Sequence, residues 1–419
     1  MKKMVFLFCG LCLCVTGFSQ HSEQNATNDL EQRTQKLEKA LQALQKLKVS
    51  GYIQAQYQWG EQDASLKVGA PNENPDKAFQ RIGIRRGRIK FTYGERVASG
   101  VFQLDITEKG VGIKDAYLNL QDPWIGFAGL KAGVFDRPFG NEISYSSSKR
   151  ESPERSTIFQ TLFPEERDLG VMLYLQAPKS SSWHFLKLEA GLFAGNGIKQ
   201  DTDNKKDFIG HLSADGKIGK HVELGGGVSY YYGNVYQGTE NVYKMDGVAF
   251  VLNDNPDNKG KFAKREYIGF DVQFGLKSIL GATQLRGEYL FGRQPGGASN
   301  SKSPNSSSLP ATDTYIRDFL GGYVIFVQGI GKLPLSIVLK YDWYNPNTKV
   351  AKNETGLNNT GASDVTRNTF GFGALWQINK DIYLQAFYEI NKNEISQNLD
   401  GYTSDRRDDL FTLRLQYKF

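Results

Sequence analysis

The chain has 419 residues, and its 51 lysines and arginines outnumber its 45 aspartates and glutamates, which gives a formal net charge of +6. A charged fraction of 23% excludes a bundle of transmembrane helices, and so small an excess of positive charge does not indicate nucleic-acid binding. Three cysteines and four histidines disfavour disulfide, thiol and zinc chemistry, whereas 45 glycines and 12% aromatic residues favour a β protein.

The first 19 residues have the pattern of a secretory signal peptide. Lys2 and Lys3 form a basic start, residues 5–15 are apolar, and small residues lie at positions 17 and 19. All three cysteines fall in this segment, so we expect the exported chain to contain none. A lipid anchor on one of them is disfavoured, because no cysteine follows the small-residue pattern that such processing needs.

Residues 28–48 carry the one clear helical pattern. Asn28 and Glu31 resemble a capping box, and leucines at positions 30, 37 and 44 repeat every seven residues. Three heptads are marginal alone, so we expect residues 20–48 to form a periplasmic helix that self-associates as a trimeric stalk. The alternative is an amphipathic helix that packs on its own domain.

From Val49 onward, apolar and polar residues alternate in stretches of about ten residues, the length that a tilted strand needs to cross a bilayer. Single-chain bacterial outer-membrane barrels have an even number of such strands. We count sixteen: 49–59, 81–93, 97–107, 112–120, 127–135, 169–177, 184–194, 207–215, 222–232, 265–275, 281–291, 316–327, 334–344, 367–376, 382–391 and 410–419.

The connections between these stretches alternate in length. Those after odd-numbered strands are mostly long and those after even-numbered strands are short, as in an up-and-down barrel with long external loops. The tryptophans lie close to predicted strand ends, which is typical of an aromatic girdle rather than a packed core. They are Trp59, Trp124, Trp183, Trp343 and Trp376. Residues 49–419 therefore predict an all-β, sixteen-stranded antiparallel transmembrane barrel.

The second predicted strand, 81–93, is rich in basic side chains that cannot all face lipid, because each would cost roughly 2–4 kcal/mol at the bilayer midplane. The alternation predicts a bulge near Arg86 and Gly87. The residues predicted to line a pore from this strand are Arg81, Arg85, Arg88 and Lys90. They would attract anions, or they would be neutralised by inward acids such as Asp105 and Asp115; both alternatives stay open.

The connection 136–168 is the natural candidate for a loop that folds inward and narrows a pore. It carries five basic and seven acidic residues, and its apolar residues could pin it to the inner wall. Those apolar residues are Phe139, Ile158, Phe159, Leu162 and Phe163. The basic residues proposed for the constriction are Arg137, Lys149, Arg150, Arg155 and Arg167.

Several motifs resemble the phosphate-selective porin O and P family. They are KDAYL at 114–118, KAGVFDRPFGNE at 131–142, RDLGV at 167–171, LFAGNG at 192–197 and a last strand that ends in Phe419. The resemblance covers the chain from Val49 onward. It implies a trimeric sixteen-stranded porin whose third loop narrows the pore and whose basic second-strand segment lines an anion path.

We therefore expect an outer-membrane porin of a Gram-negative cell, a passive channel for small hydrophilic solutes with a preference for anions, phosphate included. Phe419 resembles the signal that the barrel assembly machinery reads. Catalysis, cofactors and metals are not expected, since the histidines His184, His211 and His221 have no obvious partner. The alternative is a surface adhesin or receptor with a plugged lumen, favoured by the large loops 233–264 and 292–315.

Overall fold

The computed structural model describes residues 30–38, 41 and 45–419. The predicted signal peptide lies outside the described residues, as does Asn28 of the predicted helix start. Residues 30–38 are helical and form α1, on which Leu30 and Leu37 are 67% and 70% exposed. The stalk and its self-association stay predictions.

Sixteen strands form one closed antiparallel sheet, which confirms the predicted fold class. The first strand pairs with the last over nine residue pairs, from Tyr52 opposite Lys418 to Gly60 opposite Leu410. The barrel strands are β1 (Leu47–Gly60), β2 (Phe79–Glu95), β3 (Ala98–Thr107), β4 (Gly110–Gln121), β5 (Ala128–Asp136), β6 (Arg167–Gln176), β7 (Leu186–Phe193), β8 (Asp207–Ile218), β9 (Val222–Tyr236), β12 (Phe262–Ser278), β13 (Gly281–Gly296), β14 (Thr314–Gly329), β15 (Leu335–Asn345), β16 (Arg367–Gln377), β17 (Ile382–Asn393) and β18 (Leu410–Lys418).

Two further strands lie outside the barrel wall. β10 (Val242–Asp246) and β11 (Ala249–Asn253) form a hairpin within the connection after β9. β10 also pairs in parallel with the first residues of β14, and the Tyr243 ring stacks on Tyr315 at 4.3 Å. The connection between β9 and β12 is therefore folded onto the rim of the barrel.

Polar and apolar residues alternate between the two faces of the wall. On β1, Gln54, Gln56 and Gln58 are buried inside the barrel, whereas Ile53 points outward and is 46% exposed. On β18 the inward, buried residues are Thr412, Arg414 and Gln416. The period of two in the sequence thus gives an apolar outer surface and a polar lumen.

Two β-bulges place consecutive charged residues on the inner wall. Gln54 pairs with Arg86 but Ala55 pairs with Ile84, so Arg85 is the extra residue of β2. In the same way, Lys114 is the extra residue of β4. The predicted bulge in β2 lies one residue earlier than expected, and it adds Arg86 to the inward set.

Long loops gather at one end of the barrel and short turns at the other. The connection between β3 and β4 is the exception, because it is a tight turn at the long-loop end. The connection between β5 and β6, residues 137–166, is the longest within the described residues and contains the short helix α2 (Thr157–Leu162). We call it the lumen loop, because it folds into the barrel.

Candidate functional site

The lumen loop folds into the barrel and is fastened there by an apolar core. Its five apolar side chains named above are all buried, at 0–1% exposure. The centroid of the Phe163 ring lies 5.8 Å from that of Tyr267 and 5.9 Å from that of Tyr231. The ring centroids of Phe159 and Tyr323 are 6.3 Å apart. These tyrosines point inward from β9, β12 and β14. Burying each phenyl ring contributes about 1.5–3 kcal/mol to the docking of the loop. The resulting apolar core fills one side of the lumen.

The opposite stretch of the loop is held through its backbone. Segment 147–154 has no regular structure, so its carbonyl groups need partners from elsewhere. Inward side chains of four strands donate to them. These bonds join Gln54 to Ser147 O at 3.0 Å, Gln416 to Ser148 O at 3.1 Å, Arg414 to Pro153 O at 2.8 Å, Lys340 to Glu154 O at 3.3 Å, and Gln385 to Glu151 O.

Where the loop leaves the wall, buried ion pairs and hydrogen bonds fix its course. Arg137 pairs with Asp168 at 3.1 Å, and both side chains are fully buried. The Gly140 N–H donates to the Ser229 hydroxyl at 2.8 Å. The sequence predicts Arg137 at the constriction, but the structure places it behind the lumen loop, where its ion pair with Asp168 fixes the start of the segment.

Glu154 is the shared counter-ion of three guanidinium groups. Arg85 donates to both carboxylate oxygens, at 2.8 and 2.9 Å, while Arg86 and Arg414 approach to 3.0 and 3.1 Å. Burial opposes ionisation of this carboxyl, but the three arginines outweigh burial and hold the pKa of Glu154 well below its usual range. The carboxylate therefore clamps the loop onto β2 and β18.

A second group of charges lies between the lumen loop and strands β2–β4. Arg88 contacts Asp105 at 3.1 Å and donates to the Ser147 hydroxyl at 2.9 Å. Arg167 contacts Asp115 at 2.8 Å. Glu166 is shared by Arg155 and by Lys114, whose Nζ lies 2.6 Å from a carboxylate oxygen. Of the two predicted inward acids, Asp105 neutralises Arg88 of the basic wall, whereas Asp115 pairs with Arg167 outside that wall.

Three cavities meet at Arg155, which lines all of them. The inner chamber, about 300 Å³, lies on the short-turn side and reaches Lys90 and Lys418. The side chamber, about 540 Å³, lies on the long-loop side beneath the β3–β4 turn. The vestibule chamber, about 530 Å³, lies on the long-loop side between the lumen loop and β16–β17. We call the surroundings of this shared side chain the constriction.

Cations exceed carboxylates in each chamber. The inner chamber has five cationic side chains and two carboxylates, and the side chamber has six and four. The vestibule chamber has six and five. Among the described residues, Lys90 is a cation of the inner chamber with neither an ion pair nor a side-chain hydrogen bond to the protein.

Not every predicted pore residue reaches the constriction. Arg81 lies at the long-loop rim, where its guanidinium donates to Ala70 O and Pro71 O at 2.9 Å and contacts Glu73. Lys149 is exposed and lines none of the three chambers. Arg150 is 3% exposed, and its three guanidinium nitrogens have no hydrogen-bond partner within the described part of the chain.

Other residues of the site were missed by the sequence-based prediction. The bulges add Arg86 and Lys114, and the last strand adds Arg414, whose inward position its alternation does indicate. Glu154 and Glu166 are two of the seven acidic residues of connection 136–168. The partners of Glu154 lie on β2 and β18, far away in sequence, so no local signal could identify it as a counter-ion. Glu166 pairs with Lys114 of β4, but also with Arg155 and Arg167, which are close to it in sequence.

The fold resembles those of solved porins. The chain matches OprB of Pseudomonas putida at a TM-score of 0.54 and 10% identity, covering 90% of this chain and 96% of that one. OmpF of Salmonella typhi, solved in complex with daunomycin, matches at 0.54 and 12% identity, covering 89% and 97%. The outer membrane channel DcaP of Acinetobacter baumannii matches at 0.52 and 13%, covering 89% and 97%. This chain has a porin-type barrel.

No protein-family model matches the chain, and no curated protein sequence does so either. At 10–13% identity the likeness to solved porins is one of fold. Membership of the phosphate-selective O and P family stays a prediction. In the described ranges, no helix is long and apolar enough to cross a membrane. No group of three or more His, Cys, Asp or Glu residues is arranged to hold a metal ion in the same ranges.

Proposed function

We propose that this chain is an outer-membrane porin, a passive water-filled channel for small hydrophilic solutes that prefers anions. The observation that carries the proposal is the excess of cationic side chains in every chamber around the constriction. A fixed positive potential along a narrow, low-dielectric passage raises the local concentration of anions and repels cations.

The mechanism is diffusion through the gap between the lumen loop and strands β2–β4. Arg155 and Arg88 flank this gap, since both line the inner chamber and the side chamber. Beyond it, a further cavity of about 450 Å³ on the short-turn side contains Lys90, Lys131, Lys187 and a single carboxylate, Glu189. An anion would therefore meet a favourable field on both sides of the constriction.

Phosphate is the solute that we propose within this class. Guanidinium groups bind phosphate oxygens in a bidentate fork, and arginines dominate the cations at the constriction. The motif resemblance described above supports the same solute. Carboxylates such as Asp105 and Glu166 leave fewer guanidinium groups free, so a modest preference over chloride is expected rather than exclusion of chloride.

The cellular context is part of the proposal. We propose export by the signal peptide of residues 1–19, insertion in the Gram-negative outer membrane, and assembly through the carboxyl-terminal Phe419. Phe419 N–H and O both bond to Gly51, at 3.0 and 2.9 Å, so the last residue takes part in closing the barrel. A homotrimer is proposed with it, joined in the periplasm by the helical segment of residues 20–48.

The second candidate is a surface receptor or adhesin whose lumen is plugged. The filling of one side of the lumen by the aromatic core, and the β10–β11 hairpin folded over the rim, favour it. Reconstitution of the full chain in a planar bilayer separates the two candidates. A porin gives stepwise conductance increments in KCl, whereas a plugged barrel gives none. A heat-dependent shift in gel mobility verifies in either case that the barrel is folded.

A further inference from the structure

We propose that the vestibule chamber is a binding site for small zwitterionic solutes, amino acids and short peptides that carry both a free ammonium and a free carboxylate group. The chamber lies on the long-loop side of the constriction, above α2 and between loop 61–78, β16, β17 and loop 394–409. Its volume of about 530 Å³ lies in the range of ordinary small-molecule sites.

The chamber contains cations that the protein leaves without a carboxylate partner. Within the described residues, Lys67 and Lys302 make no ion pair, and the Arg367 guanidinium donates only to the Tyr402 hydroxyl, at 3.3 Å. Burial lowers the pKa of the Lys67 ammonium, and the charge of Glu154 raises it. Lys67 is thus a partly buried cation, and its ammonium donates no hydrogen bond within the described part of the chain.

The same chamber also contains carboxylates that have no ion-pair partner among the described residues. Glu389, which points inward from β17, and Asp408, in loop 394–409, make no ion pair with any described cation. Both side chains are only partly exposed. This differs from the constriction, where Glu154 and Glu166 are each shared by three basic groups.

Unpaired charges of both signs in one chamber select the class of solute. A simple anion would be attracted by Lys67 but repelled by Glu389 and Asp408, and a simple cation would meet the reverse. A solute with both charges satisfies both sets at once. In a partly desolvated chamber these interactions are worth more than they would be in bulk water.

The walls of the chamber are fixed before a solute arrives. Arg406 contacts Asp63 at 3.3 Å and so joins loop 394–409 to loop 61–78. The Thr369 hydroxyl donates to the Asn391 side chain at 2.8 Å, which joins β16 to β17. A pre-organised site loses little free energy on ordering, so even a small solute can bind measurably.

Calorimetric titration of the full chain in detergent tests this proposal without requiring conductance. The probes are glycylglycine, succinate as an anion, and 1,4-diaminobutane as a cation. We expect saturable binding of glycylglycine. Succinate and 1,4-diaminobutane should each bind with an affinity that is lower by a factor of about ten or more. Equal affinity for all three, or no binding of glycylglycine, would overturn the proposal.

Two variants locate the site. Lys67→Gln and Glu389→Gln should each lower the glycylglycine affinity about tenfold. The matched controls, Lys349→Gln and Glu240→Gln, change exposed charges outside the chamber and should leave it unchanged. Heat-modifiable mobility on gels verifies that each variant is folded. Binding that persists unchanged in both chamber variants would place the solute elsewhere.

The outcome is separable from that of the proposed channel. Binding of glycylglycine without conductance would contradict the proposed porin function and support this site. A chain that conducts and binds no zwitterion would keep the porin function and lose the site.

Discussion

At the scale of single residues, the charges of the lumen are set by alternation, by bulges and by long-range pairing. Alternation predicts that Arg85 and Arg88 face inward, and both do. It cannot locate a bulge to the residue, because the apolar pattern tolerates a shift by one, and Arg86 and Lys114 were missed for that reason. The pairing of Arg88 with Asp105 follows from strand register, whereas Glu154 arrives from a loop and could not be predicted.

Glu154→Gln should remove the counter-ion of Arg85, Arg86 and Arg414. We expect a higher anion-to-cation permeability ratio, because three guanidinium charges lose their partner. Breaking a buried ion pair typically costs about 3–5 kcal/mol, so the loop should also become more sensitive to trypsin. Reversal potentials and limited proteolysis measure the two effects, with Glu240→Gln as the control. An unchanged permeability ratio would contradict the assignment.

Lys90 and Arg81 make a matched pair of inward cations on one strand. Lys90 lines the inner chamber and has no ion-pair partner among the residues that the structure describes, whereas Arg81 is bound to loop 61–78 at the rim. Lys90→Gln should therefore lower chloride conductance and anion preference, and Arg81→Gln should change neither by a comparable amount. Single-channel recordings of both variants test this. Equal effects would mean that position along the lumen does not matter.

Binding in the vestibule chamber should depend on pH through Asp408. Burial raises the pKa of this carboxyl to about 6; Arg406 and Arg367 lower it, while Asp405 and Asp409 raise it further. Because the carboxylate form holds the solute ammonium, affinity for glycylglycine should be full well above pH 6 and fall as the pH drops through that value. Calorimetry about one pH unit either side measures it. Asp408→Asn should weaken this dependence, and the part that remains would come from Glu389, the other unpaired carboxylate of the chamber.

At the scale of elements, the lumen loop determines the site. Its length and its five apolar residues were visible in the sequence, and they predicted a segment pinned to the inner wall. Which wall it would contact was not predictable, because that depends on Tyr231, Tyr267 and Tyr323, which come from three different strands. The inward glutamines of β1 show the same limit. Their alternation was clear, but their backbone partners in the loop were not.

Phe163→Ala should loosen the loop without opening the barrel. The ring is 1% exposed and contacts Phe139, Phe159 and two wall tyrosines, so its removal should cost about 3–5 kcal/mol of loop docking. We expect larger and noisier conductance steps. The control is Phe372→Ala, which removes a phenyl group from the outer face of β16. Identical recordings from the two variants would mean that the aromatic core does not set the passage.

At the scale of the whole molecule, alternation and loop length were enough to predict the barrel. All sixteen predicted strands are present, and closure between the first and the last is confirmed. The reason is physical: a closed sheet with an apolar exterior imposes the same period on every strand, whatever its residues. Solved porins with 10–13% identity share the fold for this reason. The same tolerance explains why the fold alone does not identify a solute.

The trimeric stalk also belongs to this scale and stays a prediction. Deleting residues 28–46, which leaves β1 intact, should lower the trimer fraction on native gels, because the exposed leucines of α1 would then be missing. A trimer that persists in full would assign assembly to the barrel wall instead.

The most direct measurement is the reversal potential of the wild-type channel in a planar bilayer under a KCl gradient. The excess of cationic side chains in every chamber predicts stepwise conductance. It also predicts a reversal potential displaced from zero toward the equilibrium potential of chloride. A reversal potential on the potassium side would contradict the anion preference, and a folded barrel that gives no conductance would contradict the channel itself.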